Sequence, residues 1–215
     1  MSIQLGIYDI FTRVIPGGIY LFAFMQFASA MNWIKLDLSI LKNGGVLPSF
    51  GLLFVAYILG VAMERLSFTW YGIFQRPGLS KVVFEEFKKK HEEDWIINFD
   101  DNDETTMRAY IRIHDPDLSV EIERNNALFG MLRALSFGFF LLAISELVQL
   151  FETSNWLHVI AIGILLLFSW QAVIQSKKQR YWFYEGIYET ILAYQLKLED
   201  RIRPVKTSAK GKNAK

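Results

Sequence analysis

The 215-residue chain contains no cysteine. That absence excludes disulfides, thiolate metal sites and a cysteine nucleophile. Histidine is nearly as scarce: His91, His114 and His158 are far apart, and no two stand at metal-ligand spacing. No G-x-S-x-G, Walker loop or H-E-x-x-H occurs. Asp101, Asp103 and Thr105 resemble the opening of a calcium loop. Thr106 and Arg112 stand where its glycine and glutamate would have to be, so the acidic run reads as a solvated loop. The sequence therefore predicts no enzyme, no metal and no cofactor. A net charge of only +1 excludes a globally basic nucleic-acid binder.

Apolar residues, by contrast, are abundant. The chain is 52% hydrophobic and 15% aromatic, which excludes an intrinsically disordered protein. Val14–Ile34 and Asn43–Met63 are charge-free runs of 21 residues, and Thr153–Ser176 is one of 24. At about 1.5 Å per residue, 21 helical residues reach roughly 31 Å, the thickness of a bilayer core. A further stretch, Asn125–Ser145, is apolar except for Arg133, and Leu135–Leu150 carries only Glu146. Ala28-Ser29-Ala30 would suit signal-peptide cleavage. Yet Arg13 is the only cation before it, and the run continues to Ile34, so the sequence favours a retained span. The expected fold class is all-α: a polytopic membrane protein with four transmembrane helices and a small helical cytoplasmic module.

Lysine and arginine orient the spans. Arg13 precedes the first, ten Lys or Arg lie in Glu64–Arg133, and ten follow Ser176; the 34–47 connection has Lys35 and Lys42, and the 146–155 connection none. That asymmetry places both termini and the central segment on the cytoplasmic side. Trp33, Trp70, Trp156, Trp170 and Trp182 fall near span ends, where interfacial aromatics collect.

The expected organisation has five parts. Residues 1–66 hold an interfacial helix and spans 1 and 2. In that helix Ile3, Ile7, Ile10, Phe11 and Val14 share a face, Asp9 pairs with Arg13, and the chain turns into the membrane at Pro16-Gly17-Gly18, Pro16 being an early helix position or a kink. Residues 67–125 form the cytoplasmic module. Ser80 is its first N-cap, with Leu79 and Phe84 as a hydrophobic staple; Val83, Phe84 and Phe87 make an apolar face before the solvated stretch Lys88–Asp94. Met107, Tyr110, Ile111 and His114 repeat at helical spacing, and Asp115-Pro116 opens a helix leading into the third span. Residues 126–176 hold spans 3 and 4, and 177–203 a helical extension. There Tyr188, Ile191, Gln195, Leu198 and Ile202 form a short heptad seam, for packing on the module or for self-association. Residues 204–215 are a basic, polar tail read as disordered.

The candidate functional residues are few. Arg133 and Glu146 are charges inside a span, about 20 Å apart along a helix. Either they snorkel to opposite surfaces or they face a water-filled path or a subunit contact; Glu64, at the end of span 2, is a partner for Arg133. Gly130, Ala134 and Gly138, and likewise Ala56 and Gly60, recur at four-residue spacing, which lets helix backbones approach within a subunit or between subunits. Gln26, Ser29, Tyr57, Ser145, Gln149 and Ser169 add polar atoms to the spans. Lys177, Lys178, Arg180 and Trp182, in a basic and aromatic cluster, suit anchoring to anionic headgroups better than nucleic-acid binding.

The string Tyr8-Asp9-Ile10-Phe11-Thr12-Arg13-Val14-Ile15-Pro16-Gly17 resembles the opening of a loose set of small bacterial inner-membrane proteins. Tyr57-Ile58-Leu59-Gly60 and Arg180-Tyr181 are similar to that set as well. The resemblance implies a bacterial inner-membrane location, and for some members an effector or accessory role in phage defence or CRISPR systems; it implies no catalytic residue. The expected function is a non-enzymatic, homo-oligomeric membrane effector or channel-like subunit, controlled by a cytoplasmic protein or a small signalling ligand. The alternative is a membrane anchor or scaffold for a soluble partner.

Overall fold

The computed structural model describes residues 3–34, 46–75, 78–91 and 103–202, and side chains for 10–34, 49–75, 78–91 and 103–195. The expected Asp9–Arg13 pair, the faces of Ile3 and Ile7, Lys35 and Lys42, Glu92–Asp94 of the solvated stretch, Asp100–Asn102 of the acidic run, Leu198 and Ile202 of the seam, and the tail 204–215 lie outside them. Among the described residues the fold is all-helical, with α1 (Ile3–Ala30), α2 (Val46–Ala62), α3 (Glu64–Gly72), α4 (Leu79–Lys90), α5 (Glu104–His114), α6 (Pro116–Thr153) and α7 (Leu157–Ile202). Three of these helices, α1, α6 and α7, are long and apolar enough to cross a membrane. A fourth candidate, the pair α2 and α3, bent by 44° at Met63, is long and apolar enough only if the two are taken together.

Local chemistry sets the ends. α1 closes in a Schellman motif: Asn32 takes a left-handed φ of 58°, its N–H donates to Ser29 O at 3.0 Å, and that of Trp33 to Ala28 O at 2.9 Å. Asp115 caps α6 by accepting from the Leu118 N–H at 3.0 Å, with Pro116 at the first helical position. Ser154, at φ 51°, breaks α6 from α7, and the Asn155 side chain accepts from the Leu157 N–H at 3.1 Å. The last long helix thus begins at Leu157 and not at Thr153, because the preceding residues make the turn.

The expected turn at Pro16-Gly17-Gly18 is absent: α1 runs through Pro16 without a break. Pro16 removes one helical N–H, but it is fully buried, and the helix around it is clasped by α2. A Cβ on Gly17 would overlap the Ala56 carbonyl, and one on Gly60 would overlap the carbonyl of Arg13. The two backbones therefore touch, and continuing the helix is what makes that contact.

The chain divides into two compact units. The first comprises the chain to Pro77 with Val120–Phe183; the second comprises Gly78–Ser119 and the chain from Tyr184. The unit edges fall at 78, 120 and 184, where the expected module has 67, 125 and 177; α3 packs with the long helices, and α6 and α7 carry residues of both units. In the first unit Tyr20, Ala56, Tyr71, Phe129, Ala143 and Val173 are buried, whereas Phe22, Phe54, Ile58, Leu167 and Phe168 face outward. Large apolar side chains turned outward on helices of this length suit a hydrocarbon surrounding.

In the second unit Val83, Phe84 and Phe87 of α4 and Met107 and Ile111 of α5 are buried, as are Ile187, Tyr188, Ile191 and Leu192 of α7. Tyr188 packs edge-on against Phe84, with ring centroids 5.3 Å apart. Ser80 is not the N-cap. The N-cap is Gly78, two residues earlier and in the left-handed region, and the Ser80 hydroxyl meets that of Tyr188 at 3.3 Å. Tyr188 and Ile191 of the heptad seam are thus used inside this unit.

Candidate functional site

α6 carries two charges into the packing of the first unit, and both are met by other helices. Arg133 is only 8% exposed. Its guanidinium lies 3.7 Å from the Glu64 carboxylate at the start of α3, and over the rings of Phe68 and Phe129 at 5.1 and 5.4 Å. Glu64 itself is half exposed (55% of its side chain), so the pair joins a buried cation to a solvated anion. Arg180 of α7 also stands over Phe129, at 4.9 Å.

About three and a half turns further along α6 lies the second focus. Glu146 accepts from the Gln26 amide of α1 and meets His158 Nδ1 of α7 at 2.6 Å; the side chains of Glu146 and His158 are 16% and 19% exposed. The Ser145 hydroxyl, with one proton to donate, lies 3.1 Å from Gln26 Oε1 and 2.9 Å from Leu142 O. Each charge turns inward, because each finds partners there that hydrocarbon cannot supply.

Between the foci the packing is hydroxylic at one level and aromatic at the next. Ser169 donates to Ser136 O at 2.8 Å, the two hydroxyls are 3.3 Å apart, and Trp70 Nε1 donates to Ser136 Oγ at 3.1 Å. Tyr20 donates to Ala134 O at 2.7 Å. Above them Trp70 stacks on Phe140 at 4.1 Å, and Phe137 meets both Tyr20 and Trp70. Trp70, expected at an interface, takes part in this packing; among the described tryptophans, Trp33, Trp156, Trp170 and Trp182 are exposed.

The small residues separate by role. Gly138 lies against α1, where a Cβ would come within 2.8 Å of Ile19 Cγ2, and Ala134 supplies the carbonyl that Tyr20 uses. Gly130 has open space at its Cβ position. Ala56 and Gly60 serve the α1–α2 contact. Lys177 and Arg180 are half-buried, and Lys178 and Trp182 exposed.

Spacing along the sequence compares His158 only with His91 and His114, as metal ligands, and does not point to Glu146. Its signal is positional: it opens the helix antiparallel to the one that carries Glu146, twelve residues back. Among the described residues no three His, Asp or Glu side chains converge as a metal site would require. Compared with family models, with curated proteins and with solved structures, the chain matches none.

Proposed function

We propose that the chain is a non-enzymatic, four-span bacterial inner-membrane protein with cytoplasmic termini. We further propose that it acts as a channel-like subunit of a homo-oligomeric effector. One observation carries this reading: Arg133 and Glu146 both turn into the helix packing, with the aromatic layer of Trp70, Phe137 and Phe140 between them. Inward-facing charges in a membrane mark polar pathways, and an apolar constriction gates by excluding water. In this reading the two foci are the polar ends of a path that the aromatic layer closes. α4, α5 and the end of α7 receive the signal, from a cytoplasmic protein or a small ligand. The orientation rests on the lysine and arginine asymmetry, and a place in antiphage defence rests on the resemblance of the N-terminal string.

Reconstitution in liposomes tests this proposal. Ion flux from the wild type that disappears in Arg133→Ala/Glu146→Ala supports it. Flux that the double change leaves intact refutes the path. A wild type that conducts nothing, with or without bacterial lysate, favours the second reading, a membrane scaffold for a soluble partner. The observation behind that reading is apolar surface on the second unit, where Ile113 and Val82 stand exposed.

A further inference from the structure

Phe129 has two guanidiniums over its ring. The Arg133 Cζ is 5.4 Å and the Arg180 Cζ 4.9 Å from the ring centroid. The Ser176 hydroxyl, one turn before Arg180, donates to the Phe129 carbonyl at 3.4 Å and fixes α7 against α6 at this level. The two cations are close enough for the charge of Arg180 to oppose that of Arg133. Glu64, half in solvent, lies 3.7 Å from Arg133, beyond good hydrogen-bond distance.

Arg133 is poorly served for a buried arginine. A guanidinium offers five donors in a rigid plane, and burying it without acceptors is costly. Here the residue is 8% exposed, and its Nε is buried with no hydrogen-bond partner among the described residues. The level in the chain matters too. Arg133 immediately precedes the charge-free stretch Ala134–Ser145, and Arg180 lies four residues past Ser176, where the last apolar run ends. Lys177 is one turn from Arg180 on the same helix. Where a helix spans a membrane, the ends of its apolar run meet the headgroup phosphates, and paired arginine forks match phosphate oxygens.

We propose that Arg133 and Arg180, held about Phe129, form a phosphate-binding site at the membrane boundary. An anionic phospholipid headgroup and free phosphate share the chemistry. This site is distinct from the exposed surface cations such as Lys178, and it stands whether or not the protein conducts.

The test uses the purified full-length chain in a neutral maltoside detergent. Its thermal midpoint is followed against phosphatidylglycerol, and separately against inorganic phosphate with chloride at matched ionic strength as the control. The proposal expects a saturable rise in midpoint in at least one arm. A rise with phosphatidylglycerol alone names the lipid as the source, and a rise with phosphate alone names a soluble ion. Arg180→Gln should weaken the half-saturating concentration about tenfold, whereas Lys178→Gln should leave it unchanged. Arg133→Lys keeps the charge, loses the fork and should show the same loss, so the test survives if Arg180→Gln does not fold. No saturable rise in either arm, or variants at Arg180 and Arg133 that respond like wild type, would overturn the proposal.

Discussion

Glu146 Oε2 and His158 Nδ1 lie 2.6 Å apart across the turn that joins α6 to α7. With Gln26 on the other carboxylate oxygen, this contact ties three helices together at one level. Hydrogen bonds to a charged group contribute about 1.5–3 kcal/mol, and removing one partner strands the other. His158→Ala and Glu146→Ala should therefore each lower the thermal midpoint in detergent. The double substitution should cost clearly less than the two single costs added, and a double-mutant cycle reads that difference directly. Strictly additive costs would show that the pair is not energetically coupled.

The Arg133–Glu64 pair makes a separate prediction. Removing the partner of a buried charge costs about 3–5 kcal/mol, and less where one partner is as exposed as Glu64. Glu64→Arg sets two cations side by side, and Arg133→Glu sets two anions side by side. Each should reduce the yield of monodisperse protein in size-exclusion chromatography, and the exchanged double variant should recover most of it. A double variant no better than the worse single would show that the ion pair does not carry the contact.

Glycine-to-valine substitutions should divide sharply. Gly17, Gly60 and Gly138 are pressed against Ala56, Arg13 and Ile19 respectively, so valine should cost about 1–3 kcal/mol or more at each. Gly130 has open space at its Cβ position, and valine there should leave the midpoint within about 0.5 kcal/mol of wild type. Equal effects at all four positions would contradict the contacts described.

The sequence is legible where one property decides the outcome. Length and hydropathy mark α1, α6 and α7, and Asp115-Pro116 marks the start of α6, because the missing N–H of proline costs nothing at a first helical position. The same proline rule misleads at Pro16, where Gly17 against Ala56 outweighs the lost hydrogen bond; that is a tertiary contact and leaves no local trace. Four-residue spacing marks Ala56 and Gly60 as close-packing positions but is silent on their partner, α1. The α6–α7 register comes from the fold-back of the two helices, and spacing within either helix does not show it. Ser136 and Ser169, and also Phe129 and Ser176, lie symmetrically about the point between Glu152 and Thr153, as residues of an antiparallel hairpin must. Folding the sequence about that point brings His158 close to Glu146. Arg180 on Phe129 follows from the same fold, whereas Gln26 on Glu146 depends on where α1 packs.

The account turns on whether the packing around the Arg133 focus is open to water, and the absence of cysteine makes that directly measurable. Single cysteines at Ser169, 4% exposed in the interior, and at Phe168, 49% exposed on the outer face, would be reacted in proteoliposomes with a membrane-impermeant, positively charged thiol reagent. The account predicts that Ser169→Cys is modified while Phe168→Cys, facing lipid, is protected. Protection of both would contradict it and leave the buried charges as struts of a dry bundle.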